Sequence, residues 1–272
     1  MEYIIFILIG IGISIYGTLI GVGGGFILVP VLLLFYHFNP VFAVGTSLMV
    51  IFLNALSGTT AYLKQGKIDM KSGWWFVVAT FPGTVTGSFL TRYFSTSSFQ
   101  ICFGIMLVML SIGVFFRGND GKISKFFARL ESLIPGGRTS RDIKDSVGDV
   151  YSYRFSLLFG ILVSFLVGFV AGMFGIGGGV IRMPAMLLLL NFPVSIAVAT
   201  SQFVLTFTGF FGATTHYLLG NIKILPGICL GIGAIIGAQF GAYILNKVRT
   251  SWVCRLLALA LFVVGIKMMF FH

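Results

Sequence analysis

Charge is what this sequence has least of. Asp, Glu, Lys and Arg make up 9% of its 272 residues against 57% apolar residues, and the mean hydropathy is +1.04. A chain so poor in charge cannot clothe a soluble domain, so the expected environment is a lipid bilayer. No formal charge falls between Glu2 and Lys64, and Arg182 alone falls between Arg154 and Lys223, so each stretch has room for several spans of about 20 residues. Acidic residues are scarcer still. None lies in an expected membrane core, and Asp69, at a loop, comes nearest, which excludes an intramembrane carboxylate as proton relay or sodium ligand. The three cysteines, Cys102, Cys229 and Cys254, sit within or at the edges of apolar segments without metal-ligand spacing. They read as packing residues, and no metal site or cofactor is expected. Strict apolar alternation is missing too, so the spans are helices rather than barrel strands.

What is present is a repeat. Residues 21–30 read GVGGGFILVP and residues 175–184 read GIGGGVIRMP, 154 positions later. The same shift places Gly21 on Gly175, Pro30 on Pro184, Thr46 on Thr200 and Ser47 on Ser201. Of the 27 positions in 21–47, 13 are identical to their partners, and the anchors Gly66/Gly220, Gly83/Gly237 and Gly87/Gly241 keep the register, so the duplication spans nearly the whole chain. The first apolar segment belongs to the repeat and has no basic flank, so a cleaved signal peptide is not expected.

Each half predicts one long apolar segment, a glycine break, a short element of about 11 residues and three longer segments. They cover roughly 3–20, 26–37, 41–63, 72–93 and 98–116, then 155–174, 180–190, 195–218, 224–246 and 251–270. The expected fold is an all-α polytopic membrane protein of two homologous repeats, 1–116 and 154–272, joined by a cytoplasmic connector, 117–153. Charge decides the topology. If the short element counts as a crossing, Lys64, Lys67, Lys71, Lys247, Arg249 and Arg255 lie on the connector's side, whereas four passes per repeat would put the last three opposite. The repeats are therefore expected to be inverted, with both termini outside. Trp74, Trp75 and Trp252 then fall near the inner ends of their helices. Within the connector, 123–134 has the spacing of an interfacial helix ended by Pro135-Gly136-Gly137, and 138–150 reads as a flexible linker. The net charge of +11 comes from such loops and does not call for nucleic acid. Nothing in the pattern specifies an oligomer.

Three successive glycines cost about 1 kcal/mol each against alanine within a helix. The breaks Gly23–Gly25 and Gly177–Gly179 free backbone N–H groups, and a helix starting just beyond points those groups and its positive dipole end at the gap, where a small anion is the natural occupant. The competing reading is close helix packing, which is the first reading for Gly233, Gly237 and Gly241, spaced every fourth residue. Arg182, whose repeat partner is Leu28, either meets an anion through its planar fork or else snorkels or caps a carbonyl near an interface. Thr46, Ser47, Thr200, Ser201 and Gln202 either complete an anion's coordination or bond back to their own helices. Asn54 is a weaker candidate. His37 and His216 read as loop or interfacial histidines. A membrane-embedded enzyme using Ser201 and His216 fails on one continuous helix, since 15 residues span more than about 20 Å. Without the Lys and Ser/Thr of a phosphate loop, GVGGGFILVP does not hold a nucleotide.

On Gly21, Gly23–Gly25 and Pro30 in one half and Gly175, Gly177–Gly179 and Pro184 in the other, the chain resembles the sulfite exporter TauE/SafE family, grouped with toluenesulfonate-uptake permeases. The resemblance covers the whole chain. It implies a transporter, not an enzyme, that moves small sulfur-containing anions such as sulfite, sulfonates or sulfoacetate-like compounds across the cytoplasmic membrane. With no acidic residue in the core, flux would be passive or coupled through histidine or a protonated substrate.

Overall fold

In a computed structural model the described residues, 2–115, 138–245 and 250–270, form ten α-helices, one short 3-10 turn and a two-stranded hairpin. The first repeat contributes α1 (Glu2–Ile20), α2 (Gly25–Leu34), α3 (Pro40–Lys64), α4 (Met70–Leu90) and α5 (Thr96–Phe115). The hairpin is β1 (Arg138–Lys144) and β2 (Val150–Ser156). The second repeat contributes α6 (Leu157–Phe174), α7 (Gly179–Leu188), α8 (Val194–Leu218), α9 (Ile224–Leu245) and α10 (Thr250–Phe270). Among the described residues five helices, α1, α3, α6, α8 and α9, are long and apolar enough to cross a membrane. The short elements α2 and α7 have 10 residues each, about 15 Å, half a hydrocarbon layer. The interfacial helix expected over 123–134 and the basic residues Lys247 and Arg249 lie outside the described residues, as does the side chain of Trp252.

Equivalent helices pack against one another antiparallel. On α3 and α8, Thr59 and Thr206 share a hydroxyl contact of 3.0 Å, while Gly209 lies against Phe52 and Gly212 against Leu48. On α5 and α10, Ser111 donates to the Ala258 carbonyl at 2.7 Å and Gly104 faces Gly265. Each repeat also lends a helix to the other. Along α1 and α9, β-carbons at Gly233, Gly237 and Gly241 would collide with the Ile7, Ile11 and Ile15 carbonyls. The same contact recurs between α4 and α6, where β-carbons at Gly83 and Gly87 would meet the Phe165 and Phe169 carbonyls. The every-fourth-residue glycines are therefore a backbone-contact stripe, present in both repeats.

The segment 138–150 corrects the expectation of a flexible linker. It forms β1, the turn and the start of β2, registered from Arg138↔Ser156 to Lys144↔Val150, so β2 also crosses the 153/154 boundary drawn between connector and repeat. Alternation buries Tyr153 and Phe155, whose rings pack on Phe192 at 4.4 and 4.9 Å. Tyr153 donates its hydroxyl to Asp69 Oδ2 at 2.7 Å, Arg141 lies 3.7 Å from the same oxygen, and Ser146 N–H donates to the Gln65 carbonyl. The hairpin thus grips the α3–α4 loop of one repeat and Phe192 of the other. Its turn is closed by Asp145, whose Oδ1 accepts from the N–H groups of Val147, Gly148 and Asp149 at 2.9–3.0 Å while Oδ2 lies 3.9 Å from Lys67 Nζ.

Burial alone would raise the Asp145 carboxyl, but the three N–H bonds and Lys67 outweigh it and hold the group below the ordinary carboxylate range. A depressed folded value means that the contribution is present above the unfolded value of about 4 and is lost as pH falls through the folded one. Hydrogen exchange at Val147, Gly148 and Asp149, corrected for intrinsic rates, is therefore expected to stay slow at neutral pH and quicken on acidification below about pH 4. Asp145→Asn should be faster at neutral pH and flat across that window; unchanged protection in the variant would show that the turn does not depend on the carboxylate.

Candidate functional site

At each break the chain turns through left-handed glycine. Gly23 and Gly24 have φ of 80° and 78°, and Gly177 and Gly178 have 68° and 84°, values that residues with a β-carbon avoid. Gly24 and Gly178 are the N-caps of α2 and α7. Ile27 and Ile181 donate to the cap carbonyls of Gly24 and Gly178 at 3.1 and 3.2 Å, which leaves the N–H groups of Gly25, Phe26, Gly179 and Val180 without an intrahelical acceptor.

The breaks touch each other. A β-carbon on Gly25 would lie 3.0 Å from the Gly175 carbonyl, and one on Gly179 would lie 2.6 Å from Val22. The glycines thus serve close packing as well as turning, and the backbone fills the space directly between the breaks. Ser47 donates to the Gly175 carbonyl at 2.9 Å, and Ser201 donates to the Gly21 carbonyl at 2.9 Å. Thr46 Oγ1 accepts the Lys223 N–H at 3.1 Å, and Thr200 Oγ1 accepts the Asp69 N–H at 3.0 Å. Each of these bonds recurs under the 154-residue shift with the repeats exchanged. The four hydroxyls tie one repeat to the other instead of bonding within their own helices, and the hydroxyl protons of Ser47 and Ser201 are spent on carbonyls.

Two places break the symmetry. Beside the second break Arg182 is 2% exposed, and its Nη2 donates to Thr80 Oγ1 on α4 at 3.0 Å. The same nitrogen lies 3.5 Å from where a β-carbon on Gly178 would stand, so the side chain folds back over the N-terminus of its own helix. Arg182 Nε and Nη1 are buried without a hydrogen-bond partner among the described residues. This burial excludes snorkelling. The equivalent place in the other repeat holds Leu28 and Ala234, 1% and 0% exposed. Beside the first break, Asn54 Oδ1 accepts from Thr18 Oγ1 at 2.7 Å and from Gln202 Nε2 at 3.0 Å, and Asn54 Nδ2 reaches the Gly23 carbonyl at 3.5 Å. Gln202 Oε1 is buried and unpartnered among the described residues. Under the repeat shift this cluster becomes Gly172, Thr208 and Leu48.

The candidate residues are therefore divided. Arg182 belongs to the second break and Gln202 to the first, and no direct hydrogen bond joins them. Thr80 and Thr18 are the site residues that sequence reasoning missed. The signal for Thr80 was available, since the 154-residue shift pairs it with Ala234 just as it pairs Arg182 with Leu28. His216 is 0% exposed in the last turn of α8, beside Gly45. Helix α8 is unbroken from Val194 to Leu218, so Ser201 and His216 stand about 22 Å apart and form no nucleophile–base pair. His37 lies in the α2–α3 loop with a φ of 51°, matched by Asn191 at 52°. Among the described residues no cluster of His, Cys, Asp or Glu is able to hold a metal ion.

Paired broken helices inside a polytopic apolar bundle are those of a multi-pass membrane protein. Residues 6–268 match the family model for the sulfite exporter TauE/SafE, and the chain belongs to that family. It is 33% identical to "Probable membrane transporter protein YunE" of Bacillus subtilis (strain 168), covering 99% of this chain and 98% of that protein. It is 25% identical to "Probable membrane transporter protein MJ0441" of Methanocaldococcus jannaschii, over 97% and 94% of the two chains, and 27% identical to a "Probable membrane transporter protein" of Haemophilus influenzae, over 84% and 80%. No solved structure matches it. The chain is a membrane transporter.

The reciprocal clasp yields a paired prediction. Ser47→Ala and Ser201→Ala each strand a buried carbonyl, so each should lower stability by about 1–3 kcal/mol, and by similar amounts, as measured by unfolding in detergent. Loss in only one variant would show that the two contacts are not equivalent.

Proposed function

We propose that this protein is a secondary transporter or facilitator that carries small sulfur-containing oxyanions, sulfite or sulfonates, across the cytoplasmic membrane. Arg182 receives the anion at the start of α7. The observation that carries this reading is the buried guanidinium itself: a cation in a membrane interior, bonded to one neutral hydroxyl, with two nitrogens unpartnered among the described residues. Such a charge is costly unless an anion completes it. The α7 N-terminus, with its free N–H groups and positive dipole end, adds donors beside it. The anion sits beside the second break, on the Arg182–Thr80 side, because the two breaks fill the space between themselves. The description of the family names sulfite, which supports the sulfur oxyanion; the names of the relatives state transport without a cargo.

In this reading the repeats are inverted across the bilayer, the hairpin end faces the cytoplasm, and the antiparallel pairing of α3 with α8 and of α5 with α10 supports that arrangement. The fully buried site corresponds to an occluded state, and exchange of the two repeats' packing would open it to one side or the other.

Purified protein in liposomes supplies the test. Wild type should carry sulfite or an organosulfonate. Arg182→Ala should lose flux by about a hundredfold or more, and Arg182→Lys should recover part of it, since an ammonium keeps the charge without the planar fork. Undiminished flux in Arg182→Ala would remove Arg182 from the mechanism.

A further inference from the structure

We infer that the Asn54–Gln202–Thr18 cluster at the first break binds a small monovalent cation of sodium's size, which serves as the coupling ion for the anion at the second; that coupling role rests on the transporter reading above. The two unequal sites are opposite in chemistry. Arg182 offers donors without acceptors, whereas Gln202 Oε1 is an acceptor without a donor, buried and unpartnered among the described residues. Thr18, Asn54 and Gln202 are each 0% exposed.

Hydrogen bonds fix which way the amides point. The Gly23 carbonyl only accepts, so Asn54 turns Nδ2 toward it at 3.5 Å and presents Oδ1 to Thr18 Oγ1 and Gln202 Nε2 at 2.7 and 3.0 Å. Gln202 must then give its nitrogen to Asn54, and its oxygen is left over. Asn54 Oδ1, with two donors, is filled. Accepting capacity remains on Gln202 Oε1, on the lone pairs of Thr18 Oγ1 and on the Gly23 carbonyl, all of them on groups bonded to Asn54.

A cation suits such a set. Thr18 lies in the last turn of α1 and Gly23 in the unwound stretch beyond it, so the acceptors gather at the negative end of that helix dipole. Unwound carbonyls and half-helix C-termini are where secondary transporters coordinate small cations. Amide and hydroxyl oxygens do not take up a proton at neutral pH, and a divalent ion calls for carboxylates, of which this cluster has none. Space is tight: a β-carbon on Gly58 would stand 2.8 Å from Gln202 Nε2 and 3.1 Å from Thr18 Cγ2. The site occurs once. At the second break Gly172 and Leu48 supply no polar side-chain atom, and the Thr208 hydroxyl returns to the Val204 carbonyl at 3.0 Å.

The two sites are joined by backbone. Gly25 packs on the Gly175 carbonyl and Gly179 on Val22, so an ion that draws the first break together acts on the start of α7 through those contacts. A cation here and Arg182 at the other break set two positive charges against the cargo, which keeps the bundle within one charge of neutral for anions of one or two charges.

The test varies the cation. Purified protein in detergent is melted in sodium, potassium and choline chloride at equal ionic strength, and liposomes are assayed for methanesulfonate and sulfoacetate uptake under gradients of the same three cations. Wild type should melt higher in sodium, saturably, and uptake should be fastest under an inward sodium gradient. Gln202→Met keeps the side-chain length without the oxygen and should weaken apparent sodium affinity about tenfold or more, with melting in choline close to wild type. Thr18→Val removes one ligand oxygen with little change of shape, should weaken it in the same direction, and serves where the methionine variant does not fold. Arg182→Gln should lose uptake yet keep the sodium-dependent melting. Equal melting and uptake in all three salts, potassium acting as well as sodium, or a sodium response that survives both Gln202→Met and Thr18→Val would overturn the cation site and leave the transporter reading standing. Sodium-dependent melting with uptake indifferent to sodium would overturn the coupling role. No uptake of either anion in any salt would sink the transporter reading and the coupling role with it.

Discussion

A helix broken inside hydrocarbon leaves carbonyl and N–H groups that no water will satisfy, and everything in this fold follows from how those groups are met. The answer is reciprocal. Ser47 on α3 holds the carbonyl of Gly175, and Ser201 on α8 holds that of Gly21, so each repeat satisfies the break of the other. A single repeat would bury an orphan carbonyl, at about 1–3 kcal/mol, without its counterpart. The antiparallel seam between α3 and α8 is what brings each serine to the opposite break. The glycine stripes along α1–α9 and α4–α6 let the backbones approach closely enough to keep it there.

Upon this symmetric frame the polar chemistry is placed unevenly. The scaffold bonds of Thr46, Ser47, Thr200 and Ser201 occur twice, whereas Arg182–Thr80 and Asn54–Gln202–Thr18 occur once each, on opposite breaks. Symmetry gives a transporter two equivalent ways to pack; asymmetry gives each break its own chemistry. The hairpin is a further unequal element. Through Tyr153 and Asp69 it is tied to the α4 N-terminus, and the Asp69 N–H continues the tie to Thr200, next to the Ser201 clasp. At the symmetry-related position the Lys223 N–H bonds Thr46, and among the described residues no hairpin lies beside it.

The frame was legible in the sequence because it depends on local and periodic features. The glycine runs, the length of the short elements, the 154-residue shift and the every-fourth-residue glycines all register in one dimension. The hydroxyl roles were not legible, since a membrane serine bonds its own helix, a ligand or a distant carbonyl with equal ease, and Gly175 is 128 residues from Ser47. The hairpin was missed because its composition resembles a linker; the alternation of Tyr151, Tyr153 and Phe155, and the Asp-Ser-Val-Gly turn, were the signals that contradicted it. Arg182 stood out as a lone charge, but only the fold could place Thr80 against it and put Gln202 at the other break.

The central claim is that the charge at the second break, and not the space between the breaks, receives the substrate. Its most direct test is diffraction from crystals grown with a selenium-bearing oxyanion, using anomalous scattering to locate the ion. A peak whose oxygens fall within hydrogen-bond distance of Arg182 Nε or Nη1, beside Thr80 and the start of α7, is the result expected. An ordered ion seated elsewhere in the bundle, with the Arg182 guanidinium still bonded to Thr80 alone, would contradict it.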